Sequence, residues 1–365
     1  MAVSEYKNAS FEVVAPGMMT TVQDGGRVGF QQYGMPVAGP MDGESYAIGQ
    51  ALVGNTTPVG ALECTVLSPT LKVKGTCIIA FTGADMQPTI NNVEVPRYIP
   101  FVCHDGDVIS GSFSQCGVRM YISFAGGIDV PEINGSVATH TKANIGGFEG
   151  RPLVAGDEVR LKDCTRDTII CDYTRESNHL FNTVLFNRGG RECHEPLRVV
   201  LGSQAKHFTE TGIRNFSSEL YTLTIQCDRM GFRLDGAPVE HIDGADIISD
   251  GAVFGSIQVP SDGNPIILMA DRQTTGGYTK IGTVITADLP RLSQLPIGDG
   301  ITFDIVSVEE AQEMYRVYMQ NLHSKINLAS AQSTFVFSVK KHLLLEYELM
   351  ILYLVCIYYC YICIF

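Results

Sequence analysis

The chain has 365 residues, 39 acidic against 26 basic side chains and a formal net charge of −13, with no cluster of lysine or arginine. That balance argues against a nucleic-acid surface, which needs concentrated positive charge to replace counterions on phosphates. The length leaves room for about two domains with proper cores, and 45% hydrophobic residues with 37 glycines describe a folded, turn-rich protein.

In chain order, the first fourteen residues lack the apolar core of a signal peptide, and the eleven cysteines are scattered. Both features point to reduced thiols and a cytoplasmic setting. Residues 20–29 (TTVQDGGRVG) form a polar loop in which Asp24 and Arg27 flank two glycines. These two can pair with each other or face a ligand jointly, or Asp24 can simply brace a turn. Asp42 is placed to cap a helix reaching Val53, with Tyr46, Ala47, Ala51 and Leu52 as its apolar stripe and Gly54 as its stop.

Short β-rich runs then follow at 71–73, 77–81, 89–90, 108–109, 118–124, 198–201, 221–225 and 301–306. Strands so closely spaced point to antiparallel barrels or sandwiches, mainly β with few short helices, rather than βαβ units. Gly106-Asp107, Gly156-Asp157 and Gly298-Asp299 each read as a turn entering a strand. A polar stretch at 166–196 divides an N-terminal module, 11–165, from a C-terminal one, 197–322. Ser307 and Glu310 form a capping box for a closing helix predicted to end near Leu322. Beyond it, 323–365 is atypical. Residues 349–365 (LMILYLVCIYYCYICIF) are uncharged and at the short end of membrane-spanning length, literally a tail anchor. Their composition reads better as an accessory or non-native extension.

The densest chemistry lies at 259–291. An apolar run at 266–270 ends in Asp271, Arg272, Gln273, Thr274, Thr275, Gly276, Gly277, Tyr278 and Lys280. Paired glycines permit positive φ and close approach to a ligand, and a guanidinium grips a carboxylate or phosphate through two parallel hydrogen bonds. Upstream, Asp228 and Arg229 follow a strand. Gln258 offers both a donor and an acceptor, suited to an amide or ureido group. A P-loop and an HExxH zinc motif are absent from the sequence, and no metal site is expected.

These segments, together with GPMD at 39–42, AGGIDV at 125–130, GGFEG at 146–150, CDRMG at 227–231 and ADIISDG at 245–251, resemble the carboxyltransferase family often called allophanate hydrolase subunit 2. The resemblance runs from about Phe11 to Glu310. It implies that each half is a β-barrel module of cyclophilin-like type. It also implies a subunit of an ATP-dependent 5-oxoprolinase, opening the lactam of 5-oxo-L-proline to L-glutamate. ATP with Mg would be engaged through a complex with a sister subunit resembling allophanate hydrolase subunit 1 and a third subunit.

On that reading Arg272 and Arg229 hold the substrate carboxylate or phosphates. Lys280 offsets charge developing on oxygen, the backbone of Gly276 and Gly277 donates hydrogen bonds there, and Asp228 or Asp271 handles the proton. Gln273, Asp24 and Arg27 complete the substrate set. The same resemblance allows a biotin-dependent carboxyltransferase acting on urea or an amide. Gln258, Thr274 and Thr275 would then bind ureido oxygens, with biotin supplied in trans because no Met-Lys-Met site is present. A regulatory binding module for the sister subunit is the third possibility.

Overall fold

A computed structural model describes residues 3–167 and 195–334. Alternating burial makes the strands. In Thr70–Lys74, Leu71 and Val73 face the core while Lys72 faces water. Such strands build two sheets in the N-terminal half. One runs Met19–Gln23, Ala61–Thr65, Cys116–Phe124, Cys77–Asp85, Pro100–Cys103 in spatial order. The other runs Glu158–Arg160, Ser10–Ala15, Thr70–Lys74, Val108–Ser110, Thr89–Ile90, Val93–Glu94. One core that includes Phe11, Leu62, Phe81, Met120 and Phe124 serves both, with Phe11 stacked on Phe124 at 5.2 Å.

The C-terminal half forms an eight-stranded sheet in the order Gly300–Ile301, Tyr221–Leu223, Gly231–Asp235, Ile266–Leu268, Ser256–Gln258, Lys280–Val284, Leu197–Leu201, Phe303–Ile305. Its two edge strands are separated by Thr302 alone. The 300–305 stretch therefore pairs with both edges, antiparallel to Tyr221–Leu223 and parallel to Leu197–Leu201, and bends the sheet into a nearly closed barrel. The fold is mainly β, as the strand spacing predicts. The Gly-Asp turns stand where expected, with Gly106, Gly156 and Gly298 all at positive φ.

Helices join the halves. Asp42 caps α1 (Gly43–Leu52), its Oδ1 accepting from the Ser45 amide at 3.0 Å. Two further helices, α2 (Glu210–Ser218) and α3 (Leu289–Ser293), escape the sequence pattern. The capping box of α4 (Val308–Thr334) forms as predicted, the Glu310 amide donating to Ser307 Oγ at 3.2 Å and the Ser307 amide to Glu310 Oε2 at 2.8 Å.

This last helix is neither short nor finished at Leu322. Leu322, Ile326 and Ala329 pack with Ile48, Ala51 and Leu52 of α1, and Lys325 Nζ meets Glu44 Oε1 at 2.8 Å. Tertiary burial carries it past Leu322 as far as Ala329. A chain ended at Leu322 loses the contacts of Lys325, Ile326 and Ala329 and should melt roughly 4–10 °C below one ended at Thr334 in a thermal scan; equal melting points would show that the last three turns contribute nothing. No helix among the described residues is long and apolar enough to cross a membrane. Most of the expected linker and the apolar run at 349–365 lie outside those residues.

Candidate functional site

The antiparallel pairing of Gly231 with Leu268 sets the turn before one strand beside the loop after the other. Arg229 and Asp271 thus meet at one end of the C-terminal barrel, where the Asp271 amide donates to the Arg229 carbonyl at 2.7 Å. The Arg229 guanidinium grips Asp271 with both arms, Nε to Oδ2 at 3.0 Å and Nη2 to Oδ1 at 2.8 Å. It then crosses to the N-terminal module. Nη1 donates to Glu63 Oε1, and Nη2 to the Gly39 carbonyl at 2.7 Å.

Glu63 Oε2 also accepts from the Met41 amide at 2.9 Å and from Tyr121 Oη at 2.7 Å, while Arg119 Nε stands 3.9 Å from Oε1. Asp271, Arg229, Glu63 and Arg119 are all buried, forming a row of alternating charge across the seam. Gln294 finishes the join, accepting from the Val118 and Arg119 amides and donating to Asp42 Oδ2 at 2.8 Å.

Burial alone would raise the Glu63 pKa, but Arg229, then Arg119, Tyr121 and the Met41 amide outweigh it and hold it below the ordinary value. The proton is therefore bound less readily in the folded than in the unfolded state. The contribution of Glu63 to stability is full above its unfolded value, about pH 4.3, and is lost as the pH falls through the lower folded value. The urea midpoint should hold near neutrality and decline steeply in acid; a midpoint flat down to about pH 3 would contradict this account.

A segment of the N-terminal module covers the Arg229–Asp271 end. His140 Nδ1 accepts from the Ala143 amide at 3.2 Å, which leaves the proton on Nε2 to donate to the Asp271 carbonyl at 3.3 Å. Lys142 Nζ reaches Asp228 Oδ2 at 2.9 Å, and Asp228 Oδ1 braces its own turn by accepting from the Met230 and Gly231 amides.

Asp24 and Arg27 lie on the same side of the seam. Asp24 accepts from Gly26, Ser136 and Val137. Arg27 is fully buried, donates to the Ile133 and Ala138 carbonyls and has no hydrogen-bond partner at Nη1. Of these residues, Glu63, Arg119, His140 and Lys142 are missed by the sequence reading. Glu63 and Arg119 did carry a signal, a charge inside an otherwise apolar strand, which only a paired burial tolerates.

After Asp271 the loop divides. Arg272 is 8% exposed, with Nε to the Ala252 carbonyl and Nη1 to the Met269 carbonyl, both at 3.3 Å, and its guanidinium 5.7 Å from the Phe254 ring. Burial alone lowers its pKa, with no carboxylate acting on it. Gln273 Nε2 donates to Gln258 Oε1 at 3.3 Å, and Gln258 Nε2 is buried without a partner.

Thr274 accepts from the Ala252 amide through its carbonyl. Thr275–Tyr278 pairs with Asp246–Gly251 as a separate two-stranded ribbon. Gly276 and Gly277 therefore sit in a strand and not at positive φ. A Cβ at 276 would meet the Gln258 amide nitrogen at 2.2 Å, so a larger residue there would push the Gln258 side chain aside. Lys280 Nζ pairs with Asp250 Oδ2 at 2.9 Å, and its amide donates to Gln204 Oε1.

The structure thus brings Arg229 and Asp271 together, with Asp24 and Arg27 nearby. Gln258, Gln273 and Gly276 form a second group, and Lys280 lies across the strand from Gln258 but sends its Nζ to Asp250. Each of the three acid-base candidates, Asp228, Asp271 and Lys280, is held in an ion pair.

Residues 33–305 match the family model described as carboxyltransferase domain, subdomain A and B. The chain is 34% identical over 313 residues to the 5-oxoprolinase C subunit of Escherichia coli, a match spanning 85% of this chain and 96% of that one. It is 32% identical over 296 residues to the 5-oxoprolinase C subunit of Haemophilus influenzae, 81% of this chain and 91% of the relative. The crystal structure of the K. lactis urea amidolyase superposes with a TM-score of 0.78 at 28% identity, over 88% of this chain but only 20% of the amidolyase.

Proposed function

Because the chain belongs to the carboxyltransferase domain family, subdomains A and B, and matches 5-oxoprolinase C subunits over nearly their whole length, we propose that it is the corresponding subunit of an ATP-dependent complex that hydrolyses 5-oxo-L-proline to L-glutamate. The observation that carries this reading is Arg272, a buried guanidinium without a carboxylate partner. Arg229 spends its charge on two carboxylates, whereas Arg272 keeps its charge for an incoming anion. A substrate carboxylate would supply the missing countercharge.

Beside it, Gln273 orients Gln258, whose free Nε2 suits a lactam carbonyl oxygen. The four-residue row from Asp271 to Arg119 holds the start of the loop. Asp271 acts there as an anchor, since both its oxygens accept from Arg229. Lys280 and Asp228 would have to leave Asp250 and Lys142 before moving a proton.

The described residues offer no cluster of His, Cys, Asp or Glu suited to a metal ion. On this reading Mg-ATP is engaged through the assembled complex. The deciding assay is ATP-dependent glutamate release from 5-oxoproline by the reconstituted subunits. Activity that persists without this chain would end the proposal.

A second reading, carboxyl transfer to urea or an amide with biotin delivered in trans, is favoured by the likeness to urea amidolyase and by the unpartnered Gln258 amide, which fits a ureido oxygen. A biotinylated partner co-purifying with the chain, and no glutamate release, would select it.

A further inference from the structure

We propose that the loop at 28–36 is the docking element for the companion subunit, inserting Val28 and Tyr33 into an uncharged cleft on that partner; this rests on the reading of the chain as one subunit of a complex. Val28 is 73% and Tyr33 76% exposed. From Val28 to Pro40 the chain carries no charged residue, although 18% of the whole chain is charged. An aromatic and a branched aliphatic side chain held in water by an uncharged loop are poor solvent neighbours and good interface anchors.

The loop is also preformed. Its ends are tied by the Arg27 amide donating to the Val37 carbonyl at 2.7 Å, and Gly39 lies against Gly26, where a Cβ would come within 3.2 Å. Inside it, Gln31–Tyr33 makes a turn of 3₁₀ helix. The Tyr33 amide donates to the Phe30 carbonyl at 3.0 Å, the Gly34 amide donates to the Gln31 carbonyl at 2.9 Å, and Gly34 takes φ 77° to end the turn. A loop that holds its own shape loses little entropy by ordering on binding.

The neighbourhood indicates what covers it. The loop leaves from Arg27 and returns to Gly39, whose carbonyl accepts from Arg229, so its base is part of the seam. The relatives matched over nearly their whole length bear the name of a subunit. In urea amidolyase the matching region is a fifth of a longer chain. In both settings other polypeptide is available to cover the loop. A partner seated on 28–36 would press on the Gly39 carbonyl and hence on Arg229 and Asp271, giving a direct mechanical route from assembly to the loop that carries Arg272.

The test is titration calorimetry of the full chain against the purified subunit resembling allophanate hydrolase subunit 1 from the same host. The double variant Val28→Ser, Tyr33→Ser should weaken binding at least about tenfold with its melting temperature unchanged. Ile225→Ser, at a site 86% exposed elsewhere, should bind as the wild type does. Wild-type affinity in the double variant overturns the docking surface while leaving the complex intact. No binding by the wild type overturns both the surface and the subunit reading. Self-association of the wild type that the double variant abolishes makes the occupant a second copy and overturns the proposal.

Discussion

Replacing Arg229 with methionine should cost about 3–5 kcal/mol, because it strands Asp271 and leaves Glu63 only the more distant Arg119 as a countercharge. Glu63 and Asp271 come from different modules, both buried, and Arg229 is hydrogen-bonded to both. Since a whole domain is stable by only about 5–15 kcal/mol, much of the protein's margin rests on this side chain. Lysine should rescue only part of the loss, because a point cation cannot engage two carboxylates and the Gly39 carbonyl at once. Urea unfolding at neutral pH measures the effect. The gap between wild type and variant should narrow in acid, where protonation neutralises Glu63. Adding Glu63→Gln and Asp271→Asn to the methionine variant should recover stability at neutral pH as well. A cost under about 1 kcal/mol for Arg229→Met would show that the row is solvated and not buried.

Arg272→Met should behave in the opposite way. It removes a buried charge that no acid compensates and whose two carbonyl contacts are long. Stability should then stay level or rise by up to about 1 kcal/mol. In the reconstituted complex, kcat/KM for 5-oxoproline should fall on the order of 10²–10³-fold, and Arg272→Lys should restore only part of it. The discriminating comparison uses 2-pyrrolidinone, the same lactam without the carboxylate. Wild type should strongly prefer 5-oxoproline, and the methionine variant should lose most of that preference. Undiminished turnover combined with clear destabilisation would make Arg272 a structural stitch.

Much of the architecture is legible in the sequence where local chemistry decides it. Asp42 and the Ser307–Glu310 box are written in the first turn of their helices, and the runs at 77–81 and 118–124 fall within strands Cys77–Asp85 and Cys116–Phe124. Legibility fails where distant partners decide. The single run predicted at 301–306 is two strands, because its neighbours change at Thr302. The length of α4 beyond Leu322 rests on contacts with α1, more than 250 residues away in sequence. The candidate site divides the same way. A strand delivering Arg229 and a loop loaded from Asp271 onward are visible as patterns, but their mutual engagement through Glu63 depends on how two modules dock. The glycine at 276 is visible as well, but its closeness to the Gln258 side chain on another strand is not.

The sheets of each half close on a segment made late within it. Val3–Tyr6 waits for Cys164–Asp167, and both open edges of the second barrel wait for 300–305. At roughly 5–20 residues per second, the 138 residues from 168 to 305 take about 7–28 s to make. Late in that interval Leu197–Leu201 and Tyr221–Leu223 are made but still lack the partners that 300–305 supplies, leaving open edges ready to join a neighbouring nascent chain. Slow decoding within this window should therefore reduce soluble yield more than equal slowing upstream, even though the finished protein is identical.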